Sequence, residues 1–254
     1  MKPSLRALLG GAIDYAGCFP PASLPLDRAA ENYLEYLHCE HSWMLGRFVV
    51  RAEDVSKLDG ISHTLNGRLA VVGADHESAA SVEIASVAAF EKPTYCEVSL
   101  DELEAVREAG SYAKIRTGGM TPSAIPSAGA VSTFMQECAR LRLPFKATAG
   151  LHHPLRGMYR LTYADDAPVG CMHGFINLLF AACWLWSGVA PGLVETLLKE
   201  TDSSAFRFED AGVYWCEHLL STGDIVRARR EFVHSFGSCS FSEPVEALQE
   251  LGWL

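Results

Sequence analysis

The sequence predicts a single-domain α/β protein of the (β/α)8, TIM-barrel type. Three observations lead there. Short β-like runs alternate with helical patterns along the chain, as expected of parallel strands joined by crossover helices. Eight such runs can be counted. The length of 254 residues matches the roughly 250 residues typical of a closed eight-stranded barrel. No linker or break in composition divides residues 1–254, and no repeat of fixed short period is visible. An open, doubly wound sheet is the competing arrangement.

The β-like runs are 11–15, 43–50, 69–73, 94–98, 112–117, 144–149, 205–209 and 233–236. The run 69–73 is apolar throughout, as a strand buried on both faces should be. Helical patterns are expected at 26–39, 52–58, 77–90, 128–141, 172–186, 193–200, 213–220, 224–232 and 243–251. Another helix is expected to open on a Ser99–Glu102 capping box and run to Glu108, with Gly110 beyond it. The stretch 150–170 reads as irregular, with a hairpin near 158–163. The most apolar stretch, 175–189, carries Asn177 and Ser187. It is shorter than the roughly 20 residues a membrane span needs and reads as a buried helix, with Phe180, Trp184 and Trp186 in the core.

Composition narrows the function classes. Apolar residues make up 49% and charged residues 20%, and the net charge is −10. That balance argues against nucleic acid or an anionic membrane as the main partner and leaves room for a local basic pocket. The eight cysteines form no C-x-x-C pair, so they read as reduced, mostly buried thiols of a cytoplasmic protein. Lys2 and Arg6 precede no clean apolar core, and Asp14 interrupts the stretch that follows, so no cleaved signal peptide is read there. The expected partner is a small-molecule substrate, and a homo-oligomer is left open.

In a parallel barrel the working groups stand at the C-terminal ends of the strands. The polar residues expected there are Asp14, Arg47, Glu97, Lys114, Arg116, Lys146, Thr148, Glu209 and Ser238. Residues two apart on a strand share a face, so Lys114 goes with Arg116 and Lys146 with Thr148. A Lys inside an apolar run needs either a carboxylate or a reaction. Lys114, Lys146 and Glu97 are expected to cluster. A Lys beside another cation in a dry pocket loses its proton easily and can form a Schiff base with a carbonyl compound. The competing reading is a buried structural ion-pair network.

The segment Phe145-Lys146-Ala147-Thr148-Ala149-Gly150 resembles, over about six residues, the Lys-Thr-Ser-Thr-Gly pattern of deoxyribose-phosphate aldolases, which are class I aldolases. That resemblance implies a Schiff-base role for Lys146, with Lys114 as the neighbour that lowers its pKa. Ala147 and Ala149 replace polar positions of the pattern, and the chain is not assigned to that family. Ile13-Asp14-Tyr15-Ala16-Gly17 and the longer Phe145-to-Pro154 segment, which ends Gly150-Leu151-His152-His153-Pro154, resemble an uncharacterised bacterial family of barrel-like proteins. That second resemblance implies no activity.

His152 and His153 follow the sixth run, and His173 opens the apolar helix that holds Asn177. Histidine is the natural acid or base near neutral pH and a common zinc ligand. A possible metal ion would use His152, His173 and a carboxylate such as Glu97 or Asp14, although no H-x-H or H-E-x-x-H spacing is present. Thr117-Gly118-Gly119 and Gly237-Ser238-Cys239-Ser240 are candidate anion-binding turns, with Arg116 assisting. Cys239 and Cys96 also lie near strand ends. A Cys beside a His can be nucleophilic, but both are read as buried thiols.

The sequence thus leads to a lyase, of aldolase kind, or an isomerase, cofactor-free, acting on a small polar carbonyl-bearing metabolite. Lys146, Lys114, Glu97, His152, His153 and Asp14 are its candidate catalytic residues. Arg116, Thr148, Arg47, His173, Asn177 and Ser238 are candidate substrate contacts. The alternatives are a metal-dependent hydrolase or isomerase and a catalytically silent barrel that binds a ligand or serves as an assembly subunit.

Overall fold

The computed structural model describes residues 1–188 and 192–254. Eight parallel strands close into a barrel. Seven come first in the chain: β1 (Ile13–Tyr15), β2 (Leu45–Arg51), β3 (Leu69–Val72), β4 (Ala79–Ile84), β5 (Thr94–Cys96), β6 (Tyr112–Arg116) and β7 (Phe145–Thr148). A hairpin, β8 (Gly157–Arg160) with β9 (Val169–Met172), and an antiparallel sheet, β10 (Phe206–Phe208), β11 (Gly212–Trp215) and β12 (His218–Ser221), are then inserted. The last barrel strand, β13 (Val233–Ser238), pairs with both β7 and β1 and closes the ring.

The helices are α1 (Pro3–Leu9), α2 (Leu26–Tyr36), α3 (Ser62–Leu65), α4 (Leu103–Glu108), α5 (Ala128–Leu141), α6 (Phe175–Trp186), α7 (Gly192–Leu198), α8 (Thr222–Glu231) and α9 (Ser242–Glu250). The segment expected to be helical at 52–58 is a 3-10 helix, Ala52–Ile61. The capping box predicted at Ser99 and Glu102 is present. Helix α6 is buried from Phe175 to Leu185, as a sequence apolar all round apart from Asn177 requires. Val189, the last residue of that apolar stretch, lies outside the described residues. Among the described residues, no helix is long and apolar enough to cross a membrane.

The closed barrel of eight strands is as predicted, but one of the eight was not expected and one expected run lies outside the barrel. Residues 77–90 do not form a helix: Ala79–Ile84 is β4, and the run at 94–98 is therefore the fifth barrel strand, not the fourth. The run at 205–209 is a strand, but it belongs to the outer sheet, and 213–220 holds β11 and β12 instead of a helix. The hairpin expected near 158–163 spans Gly157 to Met172. Neither the β3–β4 nor the β4–β5 connection contains a helix.

Strand pleating decides which residues look inward. On β7, Phe145 packs edge-on against Phe134 of α5 and against Phe232, so it faces the outer layer. Its neighbour Lys146 must then face the barrel axis. Lys114 of β6 is in register with Lys146 and shares that face.

The loops after β6 and β7 are locked by a close backbone approach. A Cβ on Gly118 would lie 2.7 Å from the Cα of Gly150. The Thr117 hydroxyl donates to the Ala149 carbonyl at 2.7 Å. Ala149 has φ +64° and Gly150 φ +73°. A left-handed conformation at an alanine costs roughly 1–2 kcal/mol, and the Thr117 bond helps to hold it. This turn aims His152 at the mouth of the barrel.

Replacing Gly118→Ala should therefore lower the unfolding free energy by about 1–3 kcal/mol. Gly223→Ala in the first turn of α8, where the new Cβ meets only Ser221 Oγ at 3.8 Å, should be neutral or stabilising by up to about 1 kcal/mol. Urea unfolding of the two variants checks both. Equal stability of G118A and the wild type would mean that the two loops are not held by this contact.

Candidate active site at the barrel mouth

A chain of alternating charges runs through the barrel. Lys146 Nζ lies 2.5 Å from Asp14 Oδ2 and 2.5 Å from Glu83 Oε1. The other oxygen of Glu83 is 2.8 Å from Lys114 Nζ. Lys114 also meets Glu97 at 3.0 Å, and Glu97 pairs with Arg116 at 2.8 Å. Side-chain exposure rises along the chain, from 1% at Lys146 and 3% at Glu83 to 8% at Lys114, 27% at Glu97 and 53% at Arg116. It therefore starts in the dry interior and ends in solvent.

The inner end is fully satisfied. Asp14 Oδ2 also accepts the Ser235 hydroxyl at 2.7 Å, and Asp14 Oδ1 accepts the Arg47 backbone N–H at 2.8 Å. The Lys146 ammonium lies 5.4 Å from the centre of the Tyr95 ring, within cation–π range. Burial works against the Lys146 charge, but Asp14 and Glu83 outweigh it, so its pKa is raised. Burial likewise opposes the Glu83 charge. The two lysines overcome it and hold the carboxyl down at about 2. Burial and then Lys114 and Arg116 act on Glu97, with a net lowering.

A second cluster stands across the mouth. His152 Nδ1 is 2.6 Å from Glu243 Oε2, and His152 Nε2 is 3.8 Å from Cys239 Sγ. The Tyr163 hydroxyl is 3.6 Å from the same sulfur. Burial disfavours the His152 charge, but contact with Cys239 and Glu243 reverses that and raises the pKa to about 9. The neighbouring His153 goes the other way. Burial and the charge of His152 push it down to about 4, and its ring stacks on Tyr159 at 3.5 Å. It is thus a neutral wall of the outer surface.

Between the two clusters lies a cavity of about 330 Å³, lined by Glu83, Lys114 and Arg116 on one side and by Thr148, His152 and Cys239 on another. These residues sit at or just beyond the C-terminal ends of β4, β6, β7 and β13. The structure thus brings Lys114, Arg116, Thr148 and His152 together at the mouth, with Glu97 paired behind them. Lys146 and Asp14 lie deeper.

Several expected site residues are elsewhere. Arg47 is the third residue of β2 and lines a separate cavity of about 280 Å³ at the N-terminal ends of the strands, with Asp14, Arg68 and His234. A residue early in a parallel strand cannot reach the C-terminal mouth. His173 is buried, with Nε2 2.8 Å from the Pro126 carbonyl and Nδ1 3.3 Å from Arg156. Both ring nitrogens are therefore occupied. Asn177 clamps backbone: its amide donates to the Leu197 and Glu200 carbonyls at 2.9 and 3.0 Å and its oxygen accepts Arg156 N–H at 2.9 Å. Ser238 ends β13, buried, and its oxygen accepts the Ser240 N–H at 3.4 Å. Glu209 pairs with Arg207 on the outer sheet. The metal set of His152, His173 and a carboxylate is not assembled. Among the described residues, no three His, Cys, Asp or Glu side chains are placed to hold a metal ion.

Sequence reasoning missed Glu83, Glu243, Tyr163 and the pairing of Cys239 with His152. For Glu83 the signal was present: a carboxylate flanked by two β-branched residues, Val82 and Ile84.

Glu83→Gln removes the bridge between two buried ammonium groups and should cost about 3–5 kcal/mol at neutral pH. Because the folded-state pKa of Glu83 is depressed, its contribution is present above about pH 4.5 and is lost as pH falls towards about 2. The gap in stability between wild type and E83Q, measured by urea unfolding, should therefore narrow over that window. A gap below about 1 kcal/mol at pH 7 would mean that the bridge does not hold the barrel. No protein-family model, no curated protein and no solved structure matches the chain, so a function has to be built on the chemistry of these residues.

Proposed function

We propose that the protein is an enzyme acting on a small, polar, carbonyl-bearing metabolite held in the C-terminal mouth of the barrel, by a lyase or isomerase step that moves a proton beside the carbonyl. One observation carries this reading: the 330 Å³ cavity has the Lys114 side chain, held by Glu83 and Glu97, on one wall and the His152 ring, held by Glu243, on the other. Lys114 has three N–H donors, and Glu83 and Glu97 take two of them. The third is available to a carbonyl oxygen, where a fixed cation stabilises developing enolate charge. His152, protonated below about pH 9, is the acid that returns a proton.

Lys146 has a different part from the one its sequence context suggests. A Schiff base needs a free amine. Lys146 lies between two carboxylates that favour its ammonium form, and it does not line the cavity. Its role in this reading is to fix Glu83, which in turn fixes Lys114.

The complete pairing of Lys146 also favours a second reading, a ligand-binding barrel without turnover. Incubation in D2O with a panel of small oxo- and hydroxy-carboxylates, aldehydes and ketones separates the two. Turnover predicts α-deuterium incorporation, seen by NMR, in at least one compound, and a loss of about 100-fold or more in Lys114→Met. Binding without exchange supports the silent barrel. Neither binding nor exchange across the panel overturns the small-carbonyl reading. Borohydride treatment should leave Lys146 unmodified, and a reduced adduct there would restore the Schiff-base route.

A further inference from the structure

We infer that Cys239, His152 and Glu243 form a nucleophilic triad, and that the mouth accepts an activated acyl compound, an ester or thioester of a short carboxylic acid, which Cys239 attacks. The inference rests on the reading that a small carbonyl compound enters this mouth, and it adds a second chemistry at the same cavity.

The geometry is that of a nucleophile, a base and an orienting group. Cys239 Sγ faces His152 Nε2 at 3.8 Å, and Glu243 Oε2 meets the opposite ring nitrogen at 2.6 Å. A carboxylate at Nδ1 fixes the ring orientation and stabilises the imidazolium that forms when Nε2 takes the thiol proton. Cys239 and Glu243 lie four residues apart, just after β13 and in the first turn of α9, and His152 comes from just after β7. Only the fold brings His152 to the other two. Cys239 and His152 both line the 330 Å³ cavity, so the sulfur opens onto the space where a ligand would lie.

Cys239 also differs from the other cysteines. Cys138 and Cys183 are buried in apolar packing, where burial is the main cause that drives their pKa up, as expected of inert structural thiols. Cys216 is exposed on the outer sheet. Among the described cysteines, only Cys239 has a hydrogen-bonded histidine. The titratable groups that face it are His152, Tyr163, Glu243 and, from β1, Tyr15. The Tyr163 hydroxyl reaches both Cys239 and Glu243 and can donate to the thiolate.

The step is balanced with water as the second reactant. The thiol proton passes to His152 Nε2. The thiolate adds to the acyl carbon, the bond from carbon to the leaving group breaks, and the leaving alcohol or thiol takes the proton from His152. Water then attacks the thioester and gives one proton to His152. The carbon–sulfur bond breaks, the carboxylic acid departs, and Cys239 recovers its proton. No oxidant or reductant is involved. Cys239 and His152 touch the reacting atoms, and Glu243 is a positioning residue.

Two measurements on the full-length protein test this. Alkylation by iodoacetamide, followed by peptide mass mapping across pH 5–9, compares Cys239 with exposed Cys216. At neutral pH, Cys239 should react about tenfold or more faster than Cys216, because His152 Nε2 stands where it can take the thiol proton. His152→Gln should abolish the advantage. Glu243→Gln should retain Cys239 but move its rate profile to higher pH, which a purely structural role would not do. A Cys239 rate no greater than that of Cys216 overturns the triad. The second measurement is acid-quenched mass spectrometry after mixing with p-nitrophenyl acetate and p-nitrophenyl hemisuccinate. One acyl group on Cys239, absent in Cys239→Ser, is expected. Fast alkylation with no acyl adduct from either ester overturns the acyl-transfer step. The deuterium-exchange reading depends on Lys114 and is measured without esters, so its failure and the failure of the triad are distinguishable.

Discussion

Everything in the barrel interior turns on Glu83. Its two oxygens each accept a different lysine, so one carboxylate on β4 ties β7 and β6 together. Through Lys146 it also reaches Asp14 on β1. Four of the eight strands are thus cross-linked by one ionic layer where barrels of this kind are usually filled by branched apolar side chains. Such a layer is costly to bury, and replacing it by well-packed apolar residues is often neutral or stabilising. Its presence is therefore poor evidence of stability for its own sake. What it supplies is position: Lys114 is held on two sides before any ligand arrives.

The neighbouring architecture makes that position more exacting. The connections on either side of β4 contain no helix, so this strand is held mainly by its ladders to β3 and β5 and by the inward carboxylate. Across the barrel, the β7–β13 side has the thick outer layers of α5, α6 and α8. One wall of the mouth is therefore fixed by charge and the other by packing. The Gly118–Gly150 contact joins the loop after β6 to the loop after β7, which couples the Lys114 wall to the His152 wall.

The fold class was legible because its signal is repetitive. Alternation of strands with helices and a length near 254 residues both point to a closed barrel. Membership of the barrel was less legible, strand by strand. Ala79-Ala80-Ser81 opens β4 with small residues that favour a helix locally, and only burial between two parallel neighbours makes the segment a strand. Phe206-Arg207-Phe208 has a true period of two, but periodicity cannot say which sheet a strand joins. These two misreadings offset each other in the count of eight. The misplaced β4 also hid Glu83, so Lys146 and Lys114 stood in the sequence without their shared partner. The approach of His152 to Cys239 and Glu243 had no local signal, since it lies 87 positions from the one and 91 from the other.

The charge column also constrains what the mouth can recognise. Asp14, Glu83 and Glu97 offset Lys146, Lys114 and Arg116 one for one, and the chain as a whole carries −10. A distant anion therefore feels no net attraction towards this opening; the long-range field of the protein repels it. Recognition must happen at contact, through the remaining Lys114 donor, the Thr148 side and the His152 edge. Contact recognition of that kind suits a compact, weakly charged carbonyl compound better than a polyanion. A phosphorylated sugar would bring a dianion to cations whose charge Glu83 and Glu97 already balance. A neutral ester or a simple ketone brings no such charge, and in the reaction proposed above the same cations would act on charge that develops only there.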